Sequence, residues 1–198
     1  MKKQTEKELV KGCKRFDKKA QKDVYDMYAP LLRAVCSRYA RDFSETEDIL
    51  QEGLVKVFVN IKKFEWQGEG SFIGWMKRIV INSAITYYNK HKKHRQEESL
   101  EDSPVDESKN EYLAMEEPED DGLLADATGL SQENIIQILQ SIPEDFRVVF
   151  NLNIMEGYSH KEIAEMLNIK TETSRTRLLR AKNIIKKQIL ELNPGLTR

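Results

Sequence analysis

Hydrophobic residues recur at steps of three and four along most of the chain, which is the spacing of amphipathic α-helices. The pattern is clearest over residues 159–187, where it predicts two helices joined by a tight turn. A capping box of Ser159 and Glu162 starts the first helix, Asn168 tolerates the left-handed conformation that ends it, and Thr171 is the predicted cap of the second. The inward faces are apolar: Ile163, Ala164 and Leu167, then Leu178, Ala181, Ile185, Ile189 and Leu192.

The second of these helices has a polar side opposite its apolar stripe. Hydroxyl, amide and basic side chains occupy it, namely Thr173, Thr176, Arg180, Asn183 and Lys187, with Arg177 on the flank. On the front of a second helix, such side chains reach phosphates and base edges in a DNA major groove. An ordinary helical hairpin with a solvated face has the same pattern, so this stretch alone leaves both interpretations open.

A second informative helix is predicted from Ser44 to Ile61, with Ser44 and Glu47 as its capping box. Its core stripe is Leu50, Leu54, Val57, Phe58 and Ile61. A mixed stripe lies nearly opposite: Asp48, Gln51, Glu52, Val55 and Val59. Carboxylates and an amide interspersed with valines suit docking on a basic partner helix, although single surface valines are common and need no partner.

A loop over residues 62–70 with Phe64 and Trp66 precedes a long helix from Ser71 to about His94. One side of this helix carries Phe72, Trp75, Met76, Ile79 and Val80, and other sides carry Lys77, Arg78, Ile81, Ile85 and Tyr88. Cations that follow phosphates, interleaved with flat side chains that stack on unpaired bases, suit single-stranded nucleic acid. A buried helix with a positive last turn explains the pattern equally well.

The rest of the N-terminal half is also helical in pattern. Glu6 to Cys13 forms a short amphipathic segment, and Asp17 is the predicted cap of the next helix. Apolar residues at helical spacing continue from Val24, where Pro30 predicts a kink or a junction.

Order is predicted again from Ser131, after a polar segment. Ile135, Ile136, Leu139 and Ile142 share one helix face, Pro143 starts the next helix and Gly157 ends it. With the hairpin, these helices make a compact four-helix module.

Charge is segregated along the chain, although its 198 residues have a net charge of −1. Residues 1–95 carry +9, residues 96–126 carry −12, and residues 127–198 carry +2. Basic modules attract polyanions, whereas an acidic segment rich in Ser and Pro forms a core poorly. We therefore expect an all-α protein with helical domains at 1–95 and 130–198, joined by a flexible acidic linker at 96–129.

Other features limit the class of protein. The chain has no apolar run of about 18 residues and no signal-peptide core, which predicts a cytoplasmic protein without membrane insertion. Cys13 and Cys36 lack the spacing of metal ligands and are predicted to be reduced packing residues.

Three segments, in this order and spacing, resemble the extracytoplasmic-function sigma factors, small bacterial sigma factors that retain only regions 2 and 4. ETEDILQEGLVKVF is similar to the polymerase-docking signature of region 2, and FIGWMKRIVINSAITYYNKHKK to its promoter-melting helix. LQSIPEDFRVVFNLNIMEGYSHKEIAEMLNIKTETSRTRLLRAK is similar to region 4. The resemblance implies a factor that binds core RNA polymerase and directs promoter recognition and transcription initiation, without catalytic residues, metal or cofactor.

The resemblance also implies roles for individual residues. Those implied to bind the clamp helices of the largest polymerase subunit are Asp48, Gln51, Glu52 and Val55. Those implied to bind the minus-10 element are Trp66, Ser71, Lys77, Arg78, Asn82 and Tyr88. Those implied to read the minus-35 element are Thr173, Arg175, Thr176, Arg177 and Arg180. Further implied partners are promoter DNA, the polymerase flap region and an anti-sigma factor.

The chain departs from the family pattern at a few positions. Ser174 stands where valine is common, on the stripe that should be buried, which predicts looser packing or a hydroxyl bonded back to the backbone. Asn168 replaces the usual glycine of the turn. Thr86 and Asn89 replace an aspartate and an arginine near the end of the melting helix, which changes the expected minus-10 preference.

Two other functions are compatible with parts of the pattern. A helical regulator would bind duplex DNA by itself and use the N-terminal module as a sensor or dimer interface. An enzyme would use Asp48 and Glu52 as metal ligands, but the Glu-x-x-His motifs of di-metal helix bundles are absent, and His91 and His94 lie in a lysine run that repels cations.

Overall fold

The computed structural model describes residues 5–98 and 132–192, and every regular element in these ranges is helical, which confirms the all-α class. The predicted linker lies almost entirely outside the described residues. The chain divides into two compact units, Met1–Lys90 and His91–Arg198. The helices are α1 Glu6–Lys14, α2 Lys18–Ser37, α3 Phe43–Asn60, α4 Ser71–Glu98, α5 Gln132–Ser141, α6 Glu144–Phe150, α7 His160–Leu167 and α8 Thr171–Leu192.

The first two helices form a closely packed pair. Asp17 caps α2 as predicted, because its carboxylate accepts hydrogen bonds from the backbone amides of Lys19 and Ala20. A Cβ atom at Gly12 of α1 would lie 2.5 Å from the Cβ of Ala20, so only glycine allows this approach. Pro30 lies inside α2, and the alternative of a helix junction there is wrong.

The start of α3 differs from the prediction. Asp42 is the cap, with its Oδ1 accepting from the amide of Glu45 at 2.8 Å. The predicted capping box of Ser44 and Glu47 is wrong, because Ser44 already lies inside the helix. The carboxylate of Glu47 instead accepts a hydrogen bond from Arg33 of α2 at 2.5 Å, which ties the two helices together.

Helices α3 and α4 approach each other closely where the backbone of Gly53 faces Val80. A Cβ at Gly53 would lie 2.8 Å from Cγ2 and 3.3 Å from Cα of Val80. Around this contact the core of the first unit is apolar, and its fully buried members include Val24, Leu32, Leu50, Val57, Phe72, Met76 and Val80.

The second unit contains the predicted helical hairpin. Ser159 and Glu162 form the expected capping box, and Asn168 adopts the left-handed conformation with φ of 51°. Thr171 is the first helical residue of α8 rather than its cap, since the carbonyl of Lys170 accepts the first helical hydrogen bond. The core includes Ile138, Leu139, Ile142, Val149, Leu152, Ile163, Leu167, Leu178, Ala181, Ile185 and Ile189. A short π-helical segment, Asn151–Met155, extends α6.

The cysteines are core residues of the first unit. Cys13 and Cys36 are buried free thiols. Burial raises the pKa of Cys13 to about 11 and that of Cys36 to about 12, so both remain protonated at neutral pH. Separately, none of the helices in the described part of the chain combines the length and apolarity needed to cross a bilayer.

Candidate polymerase and promoter interfaces

The mixed stripe of α3 is exposed along its length. Val55 is 61% and Val59 72% exposed, and the two lie one helical turn apart on the same side of α3. Asp48, Gln51 and Glu52 are exposed beside them, and Glu52 pairs with Lys56 at 2.5 Å within the same helix. Because the opposite face of α3 is buried, this acidic and apolar surface is held in a fixed orientation.

Two ion pairs fix the first turns of α3. Arg33 hydrogen-bonds to Glu47 and lowers the pKa of this carboxyl. Arg41 pairs with Glu45, a carboxylate that is only 7% exposed. These contacts orient the helix start, so the neighbouring Asp48 projects from a rigid base.

A cleft of about 430 Å³ opens beside the loop that joins α3 to α4. Its lining residues are Lys63, Phe64, Glu65, Gln67, Ser71, Gly74, Trp75 and Arg78. Of the predicted minus-10 residues, Ser71 and Arg78 line the cleft. Trp66 and Lys77 are half-buried outside its lining, and Asn82 is exposed one helical turn beyond Arg78.

The loop has a defined shape. Gly68 and Gly70 adopt φ values of 117° and 80°, which side chains disfavour. The hydroxyl of Ser71 donates to the carbonyl of Gly68 at 2.6 Å and accepts from the amide of Gln67. Ser71 therefore shapes the loop with its hydroxyl.

Aromatic rings form one wall of this cleft. The centroid of Phe64 lies 5.2 Å from those of both Phe72 and Trp75. Flat apolar surface beside the exposed guanidinium of Arg78 offers both stacking and a charge for a phosphate, which is what an unpaired nucleotide requires.

The predicted contact of Tyr88 with DNA does not fit the structure. Tyr88 is only 2% exposed, and it is buried together with Ile81 and Ile85. These residues recur at steps of four and three, so they form a second buried face of α4. The alternative of a buried helix is correct for this side, and the ring is not free to stack on a base.

The polar side of α8 is only partly exposed to solvent. Arg175 is exposed, while Thr173 and Thr176 are half-buried. The hydroxyl of Thr176 donates to the carbonyl of Glu172, one turn earlier, at 3.0 Å. These side chains remain accessible at the start of the helix.

Two arginines predicted to face solvent are instead buried against α6. Arg177 is 5% exposed and its guanidinium lies 2.7 Å from the carboxylate of Asp145. Arg180 is 6% exposed, with its guanidinium 5.6 Å from the ring centroid of Phe146. Helical spacing placed Arg180 on the polar side and Arg177 on its flank, but an acid and an aromatic ring on α6 provide partners that spacing cannot reveal.

Ser174 has a partner that the sequence did not indicate. It is fully buried, and its hydroxyl meets the ring of His160 rather than its own backbone, so the predicted back-bond is wrong. Separately, residues 5–98 and 132–192 contain no group of three or more His, Cys, Asp and Glu side chains that could hold a metal ion.

Comparison with known proteins gives two family matches, to Sigma-70 region 2 over residues 24–94 and to Sigma-70, region 4 over residues 132–185. The ECF RNA polymerase sigma factor SigW of Bacillus subtilis is 30% identical over 190 residues, covering 94% of this chain and 97% of the relative. The ECF RNA polymerase sigma-E factor of Haemophilus influenzae is 26% identical, covering 95% and 97%. The sigma factor RpoE from Bartonella quintana, solved in complex with the anti-sigma factor NepR, has 19% identity and a TM-score of 0.47, covering 87% and 97%.

Proposed function

Because the chain belongs to the sigma-70 family, among its extracytoplasmic-function members, we propose how its surfaces divide the work of transcription initiation. The protein is a sigma factor that binds core RNA polymerase and directs promoter-specific initiation. This family consists of sigma factors rather than enzymes, and we accordingly assign the chain no reaction of its own. Its site of action is then the bacterial cytoplasm, where polymerase and promoters meet.

The outer face of α3 is the proposed polymerase-docking surface. The observation that carries this assignment is the exposure of Val55 and Val59 beside Asp48, Gln51 and Glu52. A basic helical partner, such as the clamp helices of the largest polymerase subunit, would cover the valines and pair with the carboxylates.

The cleft beside α4 is the proposed site for non-template bases of the minus-10 element. Extruding a base costs a few kcal/mol, and stacking on an aromatic side chain returns about 1–3 kcal/mol per base. Trp75 is half-buried and supplies the accessible ring, Phe64 packs behind it, and Arg78 and Asn82 supply exposed polar groups along the strand. Melting would follow because the open strand gains these contacts and the duplex does not.

The start of α8 is the proposed reader of the minus-35 element. Arg175 is exposed there, with Thr173 and Thr176 beside it, and such side chains discriminate bases in the major groove. We assign Arg177 and Arg180 a different role, which is to hold α8 against α6. Contact with the flap region and control by an anti-sigma factor stay predictions.

Run-off transcription with core polymerase and a promoter library tests these assignments. Asp48→Ala should weaken polymerase association about fivefold, and the loss should shrink at higher salt. Asp26→Ala removes an exposed acid from α2 and serves as the matched control. Arg175→Ala should leave polymerase association unchanged and reduce selection at the upstream element. Tight binding of free protein to duplex promoters, with indifference to core polymerase, would favour an autonomous regulator instead.

A further inference from the structure

Helix α1 lies outside the residues that match region 2, yet it holds both ends of the loop beside the cleft. At one end, Nζ of Lys14 donates to the carbonyl oxygen of Phe64 at 2.6 Å. At the other end, the amide of Gly70 donates to Oε2 of Glu6 at 3.0 Å. A single short helix thus fixes where the loop leaves α3 and where it enters α4.

The same carboxylate also connects to the aromatic wall of the cleft. Oε1 of Glu6 accepts from the hydroxyl of Tyr28 at 2.9 Å. The Tyr28 ring meets Phe72 edge to face, with centroids 5.9 Å apart, and Phe72 packs on Trp75. Glu6 therefore couples the position of Gly70 to the rings that line the cleft.

A cation–π contact adds to the Lys14–Phe64 hydrogen bond at the C-terminal end of α1, near the start of the loop. Nζ of Lys62 lies 4.8 Å from the ring centroid of Phe16, directly after α1. The loop needs such support because Gly68 and Gly70 lose more conformational freedom on ordering than other residues. Hydrogen bonds to charged groups are stronger than neutral ones, and they can set one loop conformation.

We propose that Glu6 and Lys14 are positioning residues for promoter recognition: they hold the loop in the shape that accepts a particular extruded base. This inference rests on the proposed role of the cleft. The geometry implies that α1 affects which base is accepted, in addition to the stability of the unit, because a preformed pocket discriminates better than a mobile one.

The test uses holoenzyme assembled from core polymerase and the full chain. Open-complex formation is measured on promoters that differ at single non-template minus-10 bases, and the ratio between preferred and altered base gives the discrimination. Lys14→Met and Glu6→Ala should each lower this ratio about tenfold, since each removes a charge-assisted hydrogen bond to the loop. Lys7→Met removes an exposed lysine from the same helix and should leave the ratio unchanged.

A rescue variant separates positioning from mere stability. Lys14→Arg keeps a charged donor and should recover most of the ratio, and two separate positions keep the test decisive if one variant folds poorly. A lower melting temperature for both Lys14→Met and Glu6→Ala with an unchanged ratio would overturn the inference while leaving the cleft assignment intact. Wild-type holoenzyme that does not discriminate these bases would overturn the cleft assignment and this inference together.

Discussion

Nδ1 of His160 lies 2.9 Å from Oγ of Ser174, and this contact joins the first turn of α7 to the buried side of α8. The two helices therefore share a polar contact in addition to the buried apolar residues Ile163, Leu167 and Leu178 that they contribute to the core. Burial lowers the pKa of His160, and the nearby charges of Arg175 and Lys182 lower it further. The folded hairpin therefore favours the neutral form of the His160 ring.

Acidification should destabilise the chain through His160. Because its pKa is lower in the folded state, the unfolded state takes up the proton first, and the free energy of unfolding falls as the pH drops from about 6.5 through the folded pKa. Denaturant unfolding of the full chain across this window measures the slope. His160→Gln should flatten it, and an identical slope in that variant would assign the effect to other groups.

Removing the hydroxyl of Ser174 should cost stability without altering the exposed DNA face. Ser174→Ala eliminates the hydrogen bond to His160 and is expected to lower the free energy of unfolding by about 1 kcal/mol. Ser37→Ala is the control, since its hydroxyl bonds only to a backbone carbonyl one turn away on a less buried surface. Equal losses for the two variants would contradict a special role for the buried contact.

The cap of α3 can be tested directly. Asp42→Ala should destabilise the chain by about 1 kcal/mol because the amide of Glu45 loses its acceptor. Ser44→Ala should have almost no effect, because Ser44 is exposed within the helix. Thermal unfolding of both variants measures the two losses of stability. A larger loss for Ser44→Ala than for Asp42→Ala would support Ser44 as the cap, as the sequence predicted.

The glycines at positions 53 and 74 should respond in opposite directions to alanine. Gly53→Ala places a methyl group against Val80 and should cost about 1–3 kcal/mol, despite the better helix propensity of alanine. Gly74→Ala meets nothing within 4 Å and should stabilise α4 by up to about 1 kcal/mol. The added methyl group should nevertheless narrow the cleft and reduce open-complex formation. Gly74→Ala should therefore be more stable than wild type and yet less active in promoter opening.

Arg177 and Arg175 should also give different results. Arg177→Ala leaves Asp145 without this partner and should lower the free energy of unfolding by about 2 kcal/mol, as expected for a hydrogen bond between charged groups. Arg175→Ala removes an exposed side chain and should leave stability within about 0.5 kcal/mol of wild type. Chemical denaturation supplies both values. If Arg177→Ala had wild-type stability but lost recognition of the upstream element, Arg177 would instead be a DNA-contacting residue.

Local features of the fold were predictable because neighbouring residues determine them. Ser159 and Glu162 close a capping box across one helical turn, and Asn168 ends α7 through its own conformational preference. The exposed stripe of α3 also followed from helical spacing. In these cases the relevant contacts are made within a few residues along the chain.

Features that depend on distant partners were not predictable in the same way. Arg177 is buried because Asp145 of α6 lies beside it, and Arg180 is buried beside the ring of Phe146. The contacts of α1 with the cleft loop join residues 50 and 64 positions apart. No periodicity in the chain encodes such pairings, so only tertiary structure reveals which side chains shape the cleft.

The contact between Gly53 and Val80 has a mechanical consequence. The backbone of Gly53 faces Val80 so closely that even a methyl group would not fit between them, so α3 and α4 are tightly packed at this point. We therefore expect the proposed polymerase-docking face of α3 and the proposed base cleft beside α4 to move together as one rigid body. A change in the angle at which α3 docks on polymerase would rotate the cleft by the same angle. The orientation of docked α3 would therefore determine where the melted strand lies relative to polymerase.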